Sequence, residues 1–75
     1  MDILKELKEK GKVSLPFKPL DTTRKDLENL GFKNLREEFD TNGWQIDFWD
    51  YYTLNDESYT LSGSFFYGDF KLTKD

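Results

Sequence analysis

The chain has 75 residues, enough for a single domain over residues 1–75, and it contains neither cysteine nor histidine. Without cysteine there is no disulfide and no thiolate-bound metal cluster, and without histidine the usual general base near neutral pH is missing. The formal net charge is −4 and 17% of the residues are aromatic, so we expect a small acidic domain whose core depends on aromatic side chains.

The first predicted element is a short helix over residues 2–10. Asp2 can cap its first turn, Ile3, Leu4 and Leu7 form an apolar stripe, and Gly11 can end it. This segment does not resemble a signal peptide, and no stretch approaches the ~20 apolar residues of a membrane span. We therefore expect a cytoplasmic chain with no membrane partner.

Residues 13–20 are predicted to be extended. Val13, Leu15 and Phe17 alternate with other residues, and two prolines exclude a helix interior. We interpret this segment as a strap on the core or as an irregular edge strand.

A second helix is predicted from its two ends. Thr22 or Thr23 can cap its first turn, and Gly31 suits the left-handed position after its last turn. Phe32 would then contact Leu27, as in a Schellman ending.

Residues 33–41 fit either a helix or an edge strand, because their apolar residues lie four apart and also share one strand face. We favour the strand, since Asn42-Gly43 is a strong hairpin signal and would place Thr41 opposite Trp44. The acidic run in this strand would be a solvated edge that blocks strand addition.

The remainder of the chain is predicted to be β-structure. A polar loop over residues 55–58 and a type II′ turn at Gly68-Asp69 separate three aromatic-rich strands. These strands cover residues 44–54, 59–67 and 70–73. The fold class is therefore α+β, with two short N-terminal helices packed on one face of a three- to four-stranded antiparallel β-meander.

Pairing Leu54 with Tyr59 and Tyr67 with Phe70 collects the large apolar side chains of these strands on one inner face. That face comprises Trp44, Ile46, Phe48, Tyr52, Leu54, Tyr59, Leu61, Phe65, Tyr67, Phe70 and Leu72. Asp50 falls on it too, opposite Gly63, where a carboxylate needs polar partners or marks a bulge.

The candidate binding site is the outer face of the same sheet. Trp49, Tyr51 and Phe66 cluster there beside Asp47, and exposed aromatic side chains rimmed by polar groups are typical of docking surfaces. The alternative is that the strap or a helix covers them, or that a bulge turns Trp49 inward.

The sequence favours a non-enzymatic interaction or regulatory protein. We expect a protein partner and no catalytic residue, cofactor or metal, because no ligand spacing or nucleophile–base pair stands out. Residues 41–75 carry six acidic and two basic side chains and so hold the whole net charge. Such a surface repels nucleic acid and attracts a basic partner.

Three other functions remain open. The same aromatic side chains could bind a small ligand or a carbohydrate. The chain could be a phage or mobile-element inhibitor of a basic host protein. It could also form a homo-oligomer through an edge strand at residues 35–41 or 70–73.

Overall fold

The computed structural model describes residues 2–15, 18–65 and 67–75, and for residues 42 and 67–69 it describes the backbone alone. This part of the chain forms two helices and five strands. In chain order they are α1 (Ile3–Lys10), β1 (Lys12–Leu15), α2 (Leu20–Asn29), β2 (Lys33–Asn42), β3 (Gln45–Leu54), β4 (Glu57–Ser64) and β5 (Tyr67–Lys74).

The five strands form one antiparallel sheet in the order β1-β5-β4-β3-β2. The α+β class is confirmed, but the predicted strand count is too low because β1 pairs with β5 and adds an edge. The segment interpreted as a strap or an edge strand is therefore a strand over residues 12–15. Pro16 and Phe17 lie outside the described residues.

The predicted cap and end of helix α1 are confirmed. The Asp2 carboxylate accepts a hydrogen bond from the Lys5 backbone N–H at 3.1 Å, and Gly11 ends the helix with a φ of +75°. Within the described part of the chain, neither helix has the length and apolar character needed to cross a membrane.

The predicted cap of α2 is wrong. The helix begins at Leu20 with Pro19 as its N-cap, so Thr23 lies inside the first turn and is buried. Its hydroxyl donates to the Pro19 carbonyl oxygen at 3.3 Å. Proline fixes its own φ and can lead into a helix without a side-chain cap, so the threonines were not needed as the start signal.

The Schellman ending of α2 is confirmed. The Phe32 N–H donates to the Leu27 carbonyl and the Gly31 N–H donates to the Glu28 carbonyl, each at 3.0 Å. Gly31 has a φ of +104°, which glycine adopts without strain. Because the helix ends in this compact turn, β2 begins only two residues after Gly31, at Lys33.

Residues 33–41 are strand, as favoured, and β2 is the second edge of the sheet. The predicted register of its hairpin is wrong by two residues. Asn42 lies opposite Gln45, so the turn is Gly43-Trp44. A two-residue shift keeps the side chains that remain in the strands on their predicted faces, because strand side chains alternate with a period of two, but it moves Trp44 from the strand into the turn.

The β3–β4 hairpin shows the same two-residue shift. Its turn is Asn55-Asp56, where both residues have positive φ, as a type I′ turn requires. Tyr52 therefore lies opposite Tyr59 rather than Leu61.

The predicted turn at Gly68-Asp69 is wrong, because both residues lie within β5 and Tyr67 pairs with Ser64. The register between β4 and β5 shifts between Ser62 and Ser64. This irregularity lies on the β5 side of Gly63, whereas the register between β3 and β4 is regular from Asp47 to Leu54, so the bulge predicted at the Asp50–Gly63 pair is wrong.

One hydrophobic core joins both helices to the inner face of the sheet. Leu7 of α1 and Leu27 of α2 are buried in the same cluster as the inner-face residues. The predicted inner face is confirmed for Phe48, Tyr52, Tyr59, Leu61, Phe70 and Leu72.

The prediction of core positions for Trp44 and Phe65 is wrong, because both are exposed. Helices α1 and α2 have eight and ten residues, so they are about 12 and 15 Å long. Strands β2 and β3 have ten residues each and extend for about 33 Å. The helices are therefore too short to cover the full length of the inner face.

Candidate functional site

Large aromatic side chains are exposed at the end of the sheet where β2 turns into β3. Trp44 is 93% exposed, Phe39 is 71% exposed and Phe65 is 47% exposed. We call these three residues the aromatic end. Monomeric proteins rarely expose large apolar patches without a functional reason, so this end of the sheet is the first candidate for a binding surface.

The aromatic end is anchored to the core through Phe48. Phe48 is buried, lies opposite Phe39 in the sheet, and packs against Phe65 with ring centroids 5.3 Å apart. On its other side Phe48 packs edge-on against Phe70 at 5.1 Å. The Phe65 N–H donates to the Ile46 carbonyl at 3.0 Å. The Phe65 ring is therefore held against a buried ring, and Phe39 is held opposite that ring by the pairing of β2 with β3.

The aromatic end lies within the most acidic part of the sequence. No lysine or arginine occurs between residues 37 and 70, and all 11 basic residues lie outside that stretch. Its acidic residues are Glu37, Glu38, Asp40, Asp47, Asp50, Asp56, Glu57 and Asp69. Two of them, Asp40 and Asp47, lie opposite each other beside the β2–β3 turn. This end of the sheet therefore combines exposed aromatic rings with two facing carboxylates, Asp40 and Asp47.

The predicted outer-face residues form a column along β3. Asp47, Trp49 and Tyr51 occupy alternate positions, and all three are half-buried. Trp49 lies between Glu38 of β2 and Ser62 of β4 in the sheet register. The structure therefore brings these three together, while Phe66, the fourth predicted site residue, lies outside the described residues.

Two members of this column are held by their neighbours. The Arg36 guanidinium lies 4.6 Å from the centre of the Tyr51 ring, and the Tyr51 hydroxyl donates to Glu38 at 3.2 Å. Asp47 accepts a hydrogen bond from the Gln45 side chain at 3.0 Å. In the outer column, Asp47 and Tyr51 are thus engaged by polar neighbours, whereas the side chains of the aromatic end are rings that are 47–93% exposed.

Asp50 is a buried carboxylate on the inner face, as the alternation indicated, but it lies opposite Leu61 and not Gly63. The Arg24 guanidinium of α2 donates two hydrogen bonds to this carboxylate, from Nε to Oδ2 at 2.7 Å and from Nη2 to Oδ1 at 2.9 Å. The Tyr52 hydroxyl lies 3.5 Å from the same carboxylate, and Glu37 lies 3.6 Å from Arg24. This ion pair fastens α2 to the sheet and was not foreseen from the sequence.

Burial, reinforced by the charge of Asp50, raises the pKa of Tyr52 from 10.0 to about 12. Because the folded-state pKa lies above the unfolded one, the neutral phenol stabilises the fold fully below about pH 10. That stabilisation is lost as the pH rises from about 10 to about 12.

A Tyr52→Phe variant should therefore lose less unfolding free energy than the wild type over this pH interval, by roughly 2–3 kcal/mol. Urea unfolding at stepped pH would measure the difference. Equal losses in the two proteins would show that Tyr52 does not ionise with the expected delay.

The described residues contain no group of three or more histidine, cysteine, aspartate or glutamate side chains that could hold a metal ion. Asp47 and Asp50 face opposite sides of β3, and Asp50 is already bound by Arg24. They cannot act together on one substrate, as paired catalytic carboxylates must. At the aromatic end, the exposed side chains are aromatic, and Asp40 and Asp47 lie in the strands beside them.

No protein-family model, no curated protein and no solved structure matches the chain. The candidate site is consequently defined by its geometry and charge alone.

Proposed function

We propose that this chain is a non-enzymatic interaction protein that docks its aromatic end on a basic surface of a protein partner. The observation that carries the proposal is the nearly complete exposure of Trp44, at the same end of the sheet as exposed Phe39 and Phe65. Tryptophan is one of the residue types enriched among the dominant contacts of protein interfaces. An exposed indole can bury a large apolar area when it enters a partner pocket.

Charge supports a basic partner. Asp40 and Asp47 flank the β2–β3 turn, and the surrounding stretch of sequence contains no basic residue. Opposite charges on the two surfaces accelerate association and exclude acidic competitors. Like charges on two copies of this chain disfavour contact between two aromatic ends.

Affinity capture from the source cell tests the proposal with three proteins. The wild type is compared with a Phe39→Ala/Trp44→Ala variant and with a control variant, Leu4→Ala/Leu30→Ala. The control removes two apolar side chains, each 41% exposed, one from α1 and one from the residue that follows α2. Circular dichroism establishes that all three proteins are folded.

We expect one basic protein to be retained by the wild type and by the control, and to be lost or weakened at least ~30-fold in the aromatic variant. Truncating an interface hot spot costs about 2 kcal/mol or more, which gives that factor. Retention by all three proteins would refute the aromatic end as the docking surface. In that case a Trp49→Ala/Asp47→Asn variant would test the outer column.

A further inference from the structure

We propose that the partner adds a strand to the free edge of β2, and that this added segment alternates basic and apolar residues. The inference rests on the proposed function and specifies how the partner is held. β2 is an edge strand that pairs with β3 alone, and its described side chains are exposed along its length. A free edge offers a row of backbone donors and acceptors to an incoming strand.

The register shows which backbone groups face outward. The two-residue turn makes Asn42 and Gln45 the first hydrogen-bonded pair, and in an antiparallel ladder such pairs alternate with non-bonded ones. The N–H and C=O groups of Glu37, Phe39 and Thr41 therefore point away from β3. An incoming strand would bond to these three residues.

The side chains of β2 determine which residues the added partner strand needs. Phe39 lies on the inner face, where it continues the aromatic end, while Glu38 and Asp40 lie on the outer face. Side chains directly opposite each other in a sheet lie about 4.5–5.5 Å apart at Cβ and interact. On the inner face, the added strand would therefore place an apolar residue beside Phe39. On the outer face, it would place lysine or arginine beside Glu38 and Asp40.

Charge also decides against a second copy of this chain as the occupant. From residue 36 to residue 42 the strand carries one basic and three acidic side chains. Arg36 is already ion-paired with Glu38 of its own strand at 3.2 Å. Pairing β2 with itself would add like charges, so the acidic edge excludes copies of itself and accepts a basic strand.

The bulge in β2 limits the length of the added strand. The β2–β3 register shifts between Asn34 and Arg36, and it is regular from Arg36 to Asn42. Bulges interrupt pairing and bend the strand. A segment of about seven residues therefore fits the regular part of the edge.

The test uses three synthetic seven-residue peptides. One alternates lysine and valine, one has the same composition in two blocks, and one alternates glutamate and valine. Each is titrated into the ¹⁵N-labelled protein at low salt, and amide hydrogen exchange is measured. We expect only the alternating basic peptide to bind specifically and to slow exchange at Glu37, Phe39 and Thr41 at least tenfold.

A pair of variants separates strand addition from side-chain docking. Thr41→Pro removes an outward N–H that β3 does not use, whereas Thr41→Ala keeps it. Binding of the alternating peptide should weaken at least tenfold in Thr41→Pro and stay unchanged in Thr41→Ala.

Equal binding of the alternating and block peptides, or unaltered exchange at the three amides, would overturn strand addition even if the proline variant failed to fold. Equal binding by folded Thr41→Pro and Thr41→Ala would overturn it as well. Neither result would affect the capture experiment, so the proposed function would survive on Phe39 and Trp44 alone.

Discussion

An Asp50→Ala variant is expected to lose about 3–5 kcal/mol of unfolding free energy. Asp50 is fully buried, and its carboxylate is the bidentate partner of Arg24. Removing it leaves the guanidinium partly buried, with the Glu37 carboxylate 3.6 Å away. A 75-residue domain has a total stability of about 4–11 kcal/mol, so this loss is a large share of the total.

Urea unfolding monitored by tryptophan fluorescence would measure the loss. A double variant, Arg24→Met/Asp50→Val, provides the matched control because it removes both charges and keeps the side chains close to their original size and shape. We expect it to recover most of the stability, since a buried ion pair can be replaced by apolar packing at little cost. A loss below about 1 kcal/mol in Asp50→Ala would show that the pair does not fasten α2 to the sheet.

A Phe48→Ala variant is expected to lose about 3–5 kcal/mol, because it removes a fully buried ring and leaves a cavity. Phe48 contacts both Phe65 and Phe70, so its loss should also free the Phe65 ring of the aromatic end. The control is Phe39→Ala, which truncates the exposed ring opposite Phe48 on β2. That variant should change stability by about 0.5 kcal/mol or less.

Chemical denaturation of the two variants side by side would measure this contrast. If Phe39→Ala were as destabilising as Phe48→Ala, Phe39 would belong to the core, and the aromatic end could not be a free surface.

The alternation of side chains predicted the inner face well although every hairpin register was wrong. The β2–β3 and β3–β4 registers were wrong by two residues, which moves a pair along the strand but leaves each side chain on its face. Phe48, Tyr52 and Leu61 were therefore assigned correctly. The position of Gly31 was also predictable, because a left-handed residue after a helix strongly favours glycine.

Two features could not be read from local pattern. Arg24 and Asp50 are 26 residues apart, and only the docking of α2 on the sheet brings them together. Trp44 and Phe65 have the same alternation as buried residues, so the pattern placed them in the core. Both lie outside the strands, since Trp44 falls in the β2–β3 turn and Phe65 follows the last residue of β4, and an alternation extended through these turns assigns them to the inner face.

The measurement that tests the central claim most directly is site-specific photo-crosslinking in the source cell. The photoreactive amino acid p-benzoylphenylalanine replaces Trp44 in one protein and Leu30, an exposed residue just beyond the end of α2, in another. If the aromatic end is the docking surface, irradiation gives a discrete adduct with a basic protein from position 44 and none from position 30. An adduct from position 30 alone, or from neither position, would contradict the proposal that this chain binds its partner through the aromatic end.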